Sequence, residues 1–190
     1  MKIRLAAPIE TDSIVDGEGI RTVIWTQGCS HNCKGCHNPE THSFDDGFLV
    51  DVEDLEKEIL EFPKQDGITL SGGDPIYQPK AVCEIAKFCR KNNLNVWCYT
   101  GFIFEELQKM AKTKSEIKEL LQNIDVLVDG KFILEERSLN LYFKGSKNQR
   151  ILDLPKSLEE NRPVEIEKYK GSRTFEKYSS QKHNDKGIFI

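Results

Sequence analysis

Apolar positions along this chain follow two rhythms that take turns. Short continuous apolar runs at 22–27, 67–71, 95–99 and 124–128 read as buried strands. Between them, apolar residues recur at helical spacing: Leu55, Ile59 and Phe62 within 52–62, and Val82, Ile85, Ala86 and Phe88 within 79–92. A third helix is expected over 104–112, and Ile117, Leu120 and Leu121 mark a fourth. Asp51 reads as an N-cap with Pro63 as the stop, Pro79 suits a first helical turn, and Thr113-x-x-Glu116 reads as a capping box. Residues 1–9 read as an edge strand or an extended arm. Beyond the fourth strand come a polar segment, a short strand near 141–144, a Gly145-Ser146-Lys147-Asn148 turn and a strand at 150–154.

Strand alternating with helix requires crossover connections and a parallel sheet. Ligands gather at the carboxyl ends of such strands. The distinctive polar motifs all fall there: a cysteine loop after the first strand, then Gly72-Gly73-Asp74, Thr100-Gly101 and Asp129-Gly130-Lys131. Four or five strand–helix steps are too few for an eight-stranded barrel. The expected fold is therefore α/β, an open partial (βα) barrel shorter than a full TIM barrel. The composition changes after Pro155, where charged and small polar residues dominate. This divides the chain into a domain at 1–154 and a polar C-terminal tail at 155–190. The tail is either solvated and mobile or a partner-docking arm tipped by Ile188-Phe189-Ile190.

A net charge of −4 gives no general attraction for phosphate backbones, so direct nucleic-acid binding is not expected. No apolar run approaches membrane-spanning length and the N-terminus lacks a signal-peptide core, which points to the cytoplasm. In a reducing compartment the six cysteines suit metal better than disulfides. Cys83, Cys89 and Cys98 stand apart and read as small buried hydrophobes. The other three share one loop, Cys29-Ser30-His31-Asn32-Cys33-Lys34-Gly35-Cys36, spaced C-x3-C-x2-C.

Three thiolates on one loop can hold three irons of a cubane cluster and leave the fourth without a protein ligand. Zinc is the rival, with His31 or His37 completing a tetrahedron. Gly72-Gly73-Asp74 is good turn chemistry. It also suits a ligand clamp, since the glycines admit close backbone approach and Asp74 offers acceptors to an ammonium group. Asp129 and Lys131 share a side in an extended segment, either as a surface ion pair or as a polar clamp.

Cys29-x3-Cys33-x2-Cys36 resembles the signature of the radical S-adenosylmethionine (radical SAM) enzymes, and Ser71-Gly72-Gly73-Asp74-Pro75 resembles their Gly-Gly-Glu element. Within that superfamily, Val15-Asp16-Gly17-Glu18-Gly19-Ile20-Arg21 and Cys36-His37-Asn38-Pro39-Glu40-Thr41 resemble the glycyl-radical-enzyme activases. Gly145-Ser146-Lys147-Asn148-Gln149-Arg150 resembles an element of the family that activates anaerobic (class III) ribonucleoside-triphosphate reductase. The similarity runs over about residues 14–154. It implies a partial barrel of the radical SAM type, with a [4Fe-4S] cluster on Cys29, Cys33 and Cys36 and S-adenosylmethionine on the open iron. Reductive cleavage would give a 5′-deoxyadenosyl radical that takes hydrogen from a glycine of the reductase.

The resemblance further implies that Gly72, Gly73 and Asp74 meet the methionine end of the cofactor. Backbone groups of Gly35, Cys36 and His37 meet its adenine, and Asp129 and Lys131 form a polar pair. A low-potential electron donor, not identified by the sequence, is also implied. Two positions depart from the pattern. Gly35 stands where an aromatic residue is common, and Cys98-Tyr99-Thr100-Gly101 lacks the aspartate of a monovalent-cation site. The alternatives are a small-molecule radical enzyme resembling 7-carboxy-7-deazaguanine synthase and a zinc-stabilised binding module. A chain this short has little with which to cap its own sheet, so its cofactor groove is expected to be open until the reductase closes it.

Overall fold

The computed structural model describes residues 1–172. It is an α/β fold built on one eight-stranded sheet. The strands are β1 (Lys2–Leu5), β2 (Glu10–Ser13), β3 (Arg21–Thr26), β4 (Phe48–Asp51), β5 (Gly67–Gly72), β6 (Asn95–Tyr99), β7 (Val126–Asp129) and β8 (Arg150–Asp153). The helices are α1 (Val52–Leu60), α2 (Pro79–Lys91), α3 (Phe104–Ala111), α4 (Ser115–Leu121) and α5 (Leu154–Glu160). Sheet order is β4-β1-β3-β5-β6-β7-β8, with β2 also paired to β3. The strands β3, β5, β6 and β7 are parallel neighbours, and β8 returns antiparallel along β7. No helix among the described residues is long and apolar enough to cross a membrane.

Several local expectations are corrected. The arm at 1–9 is not an edge, because β1 lies between β3 and β4. Asp51 makes no capping bond; its carboxylate instead accepts from Lys2 Nζ at 2.8 Å. Thr113 does not cap α4, whose N-cap position is Lys114. Glu106 makes a backward bond of capping-box type at α3, accepting from the Ile103 N–H at 3.0 Å. No strand forms at 141–144; Leu141 makes only an isolated bridge to Ser172.

Alternation along the strands gives the sheet two buried faces. One carries Ile24, Ile68, Leu70, Val96, Cys98 and Leu127 and packs on the helices through Leu55, Ile59, Val82, Ile85, Phe104 and Leu107. Cys83 and Cys89 lie in this core, where burial pushes the Cys83 thiol up to about 11 and Cys89 up to about 12. The other face carries Trp97, Val126, Val128 and Ile151, and Tyr169 covers it.

Arg21 closes the amino end of that second face. It is only 1% exposed, and it donates to Thr69 Oγ1 (2.7 Å), the Glu18 carbonyl (3.0 Å), the Asn95 carbonyl (3.0 Å) and the Ile68 carbonyl. Its guanidinium stacks 5.3 Å from the Trp97 ring. Burial lowers its pKa to about 10, which leaves it charged at neutral pH.

The described part of the expected polar tail is largely exposed, but it folds back on β8 and buries Ser157 and Tyr169. Asp153 caps α5 by accepting from the Lys156 N–H at 3.1 Å. The chain then turns through Asn161 in the left-handed region (φ 50°) and runs back beside β8. There the Asp153 N–H donates to the Val164 carbonyl and the Ile166 N–H to the Ile151 carbonyl, both at 2.9 Å. Tyr169 then lands against Trp97, Phe143 and Tyr142, with ring centroids 5.8, 5.5 and 5.9 Å away. The remainder of that segment, including Ile188-Phe189-Ile190, lies outside the described residues. Tyr169→Ala should remove the keystone of the second face and cost about 3–5 kcal/mol, read as a lower urea midpoint. A loss below about 1 kcal/mol would show that the strap is peripheral.

Candidate functional site

The four parallel strands end together, and the loops leaving them build one cleft. Its lining includes Cys29, Cys33, Cys36 and His37 from the loop after β3, Ser71–Gly73 after β5, Thr100 and Gly101 after β6, and Gly130 and Lys131 after β7. The space measures about 140 Å³ and contains no Asp or Glu in its lining. A second groove of about 310 Å³ shares His37 and Tyr99 with it and is lined by Val15, Asp16, Arg137, Leu139 and Phe143. Leu139 and Val15 are 83% and 65% exposed at its rim.

The cysteine loop is anchored at its base. Gln27 Nε2 donates to the Glu40 and Ser43 carbonyls at 3.1 and 2.7 Å, folding the return path of the loop against β3. The Gly28 and Cys29 N–H groups donate to the Thr41 and His42 carbonyls at 2.9 and 3.2 Å. At the end of the neighbouring strand β5, the Gly73 N–H donates to the Thr26 carbonyl at 2.7 Å. Gly72 sits at φ +102°, where a Cβ would meet the Thr26 backbone at 2.5 Å, so this wall can only be glycine.

Cys29, Cys33 and Cys36 are free thiols of intermediate exposure. Burial pushes Cys29 up to about 11 and raises Cys33, with Lys131 acting weakly in the opposite direction on Cys33. Left to themselves, Cys29 and Cys33 stay protonated at neutral pH. A cationic metal centre is the partner that would deprotonate them. Among the described residues no three His, Cys, Asp or Glu side chains converge as the ligands of a single ion would.

The other expected site residues divide in two. Cys36, His37, Gly72, Gly73 and Lys131 line the cleft; Gly35, Asp74 and Asp129 do not. Gly35 turns away at φ +71° under Leu134. Asp74 is fully buried and its acceptors are occupied. Oδ1 accepts from the Ile76 N–H (3.0 Å), while Oδ2 accepts from His31 Nε2 (2.7 Å), Thr100 Oγ1 (2.9 Å) and the Gly101 N–H (2.9 Å). Its carbonyl is engaged by the Tyr77 N–H at 3.1 Å. Asp129 does not pair with Lys131. It is buried beneath the cleft, accepts from the Phe104 N–H at the start of α3 (2.7 Å), and is gripped by Arg150 Nε (2.9 Å) and Nη2 (2.5 Å).

Residues whose role the sequence left open now have one. Gln149 Oε1 accepts from the Gly145 and Ser146 N–H groups at 2.9 and 3.1 Å, and Gln149 Nε2 donates to the Gly130 carbonyl at 3.0 Å. Asn148 Nδ2 donates to the Lys131 carbonyl at 2.8 Å. The 145–150 stretch is thus a clip that holds the Gly130–Lys131 wall in place. His31, a candidate zinc ligand or polar loop residue from the sequence, has its Nε2 2.7 Å from Asp74 Oδ2.

Residues 15–152 match the family model described as a 4Fe-4S single cluster domain. With three thiols on one loop at the ends of a parallel sheet, that match defines an α/β iron–sulfur protein. The anaerobic ribonucleoside-triphosphate reductase-activating protein of Haemophilus influenzae is 36% identical over 148 residues, covering 73% of this chain and 90% of its own. Its counterpart in Escherichia coli K12 is 32% identical over 151 residues, covering 72% and 90%. The pyruvate formate-lyase-activating enzyme of Clostridium pasteurianum is 40% identical over 123 residues, covering 62% of this chain and 52% of its own. The chain belongs to the family of anaerobic ribonucleoside-triphosphate reductase-activating proteins.

Arg150→Ala should leave buried Asp129 without its cation and destabilise the protein by about 3 kcal/mol or more, measured by thermal unfolding. Glu105, the exposed partner of Arg150 at 2.8 Å, should cost less than about 1 kcal/mol when changed to Ala. Equal losses from the two changes would contradict the assignment of Asp129 as the partner that matters.

Proposed function

We propose that this protein is a radical SAM enzyme that installs a glycyl radical on an anaerobic ribonucleoside-triphosphate reductase. The observation that carries the reading is the cleft itself. Three half-buried thiols of one loop face a wall of glycine backbone, with no fourth cysteine and no carboxylate in the lining. Cys29, Cys33 and Cys36 would hold the [4Fe-4S] cluster and leave one iron for S-adenosylmethionine. With both groups bound and one electron delivered by a low-potential donor, the site supplies a carbon-centred radical that takes hydrogen from a glycine of the reductase.

The chain's own groups do the binding and shielding. Gly72 and Gly73 present unobstructed backbone to the amino-carboxylate end of the cofactor. Lys131 supplies the one lysine or arginine charge in the lining, suited to that end's carboxylate. Backbone groups of Cys36 and His37, both in the lining, would meet the adenine. Asp74 and Asp129 act from behind, by fixing the loops. The adjoining groove with its exposed Val15 and Leu139 rim is where a segment of the reductase would approach and exclude water.

On this reading the sheet is a partial barrel of the radical SAM type and residues 1–154 carry the chemistry. The protein works in the cytoplasm with neither membrane nor nucleic acid as a partner. The test is anaerobic incubation with S-adenosylmethionine, a reductant and the reductase. Wild-type protein should give a glycyl radical by electron paramagnetic resonance. Cys33→Ser should bind less than the full complement of iron and sulfide and give no signal above background. A retained signal in that variant refutes the ligand assignment, and no signal from wild type with a competent reductase refutes the activity.

A further inference from the structure

We infer that His31 is a positioning residue for the cluster loop, and that its bond to buried Asp74 holds the span bearing Cys29 and Cys33 against the ends of β5 and β6. The inference rests on the reading of those cysteines as cluster ligands. A histidine between two such cysteines on a surface loop would ordinarily be solvated. This one is 7% exposed and turned inward, 2.7 Å from a carboxylate that is 0% exposed. Its ring meets Phe102 edge-on at 4.6 Å and lies 6.1 Å from Tyr77. Gly101 makes the room, because a Cβ there would collide with the imidazole.

The rest of the loop explains why such an anchor is needed. Backbone bonds secure Gly28 and Cys29 to the return path of the loop. From there to Cys33 the chain belongs to no strand or helix and passes through Asn32 at φ +49°. The Ser30 hydroxyl bonds to the Tyr77 hydroxyl in the turn that follows β5. His31 is the side chain of that span that reaches the buried carboxylate shared by the loops after β5 and β6. Among the described residues Asp74 has no lysine or arginine partner, and its carboxylate accepts from the Ile76 N–H, His31, Thr100 and the Gly101 N–H. The imidazole N–H is therefore a required donor, and loss of it unsettles both the carboxylate and the loop. Partners behind metal ligands typically carry about 10–100-fold in metal retention.

The test reads the cluster directly. Protein reconstituted anaerobically with iron and sulfide is exposed to an iron(II) chelator, and the decay of the cluster's visible absorbance is followed. His31→Ala should lose its cluster roughly 10–100-fold faster than wild type. His31→Gln keeps an N–H donor at similar reach and should recover most of the lifetime, with far-ultraviolet circular dichroism confirming the fold in each case. Wild-type retention by His31→Ala, or a His31→Gln cluster as short-lived as that of His31→Ala, overturns the inference. Cys33→Ser separates the two levels of the argument. If it assembles a full cluster, the ligand reading falls and takes this inference with it. If it does not, while His31→Ala holds its cluster normally, only the inference falls.

Discussion

A carboxylate buried without a cation must draw all its stabilisation from hydrogen-bond donors, and those donors must come from wherever the chain can bring them. Asp74 draws them from its own turn, from the loop after β6 and from the cysteine loop. One side chain thereby sets three strand ends in register. Asp129 does the same one loop further along, with the advantage of a guanidinium and the amino end of α3. Both lie behind the cleft. What a bound group would meet is thiol, glycine backbone, hydroxyl, imidazole, side-chain amide and one lysine, while the acids that shape the cleft stay out of reach.

The sheet is buried on both sides by different means. Its helix face is packed with aliphatic side chains in the ordinary way of α/β folds. The opposite face is too small for a second layer of helices, and the chain fills it with aromatic rings and one arginine. Arg21 can occupy that position because its donors match carbonyls at the starts of β5 and β6.

Much of this was legible in the sequence because strand and helix periods are local properties. The run 95–99 became β6 with the same limits, and Pro79 opened α2 as its ring geometry favours. The cysteine spacing and the glycine pair likewise announced a cleft at the strand ends. Three of the failures share a cause: each concerns an acidic side chain whose partner is distant in sequence. Asp51 looked like a cap but met Lys2, and Asp129 looked like a partner of Lys131 but met Arg150. Asp74 read as a ligand group because nothing in its neighbourhood shows that His31 and Thr100 would saturate it. The residues after Pro155 read as solvated because one tyrosine among many charges gives no periodic signal, although Tyr169 completes a core.

The strap that carries Tyr169 also bears on the order in which the molecule is made. The Lys168 ammonium meets Glu18 across 150 residues of chain, and Tyr169 covers rings from strands synthesised far earlier. On a ribosome, β3, β5, β6 and β7 can assemble and take on their helices while the aromatic side of the sheet still lacks its cover. Contacts of such long sequence separation form late and leave apolar surface exposed in the meantime. The nascent protein therefore passes through an interval in which its thiol loop is in place but the sheet beneath it is open on one side.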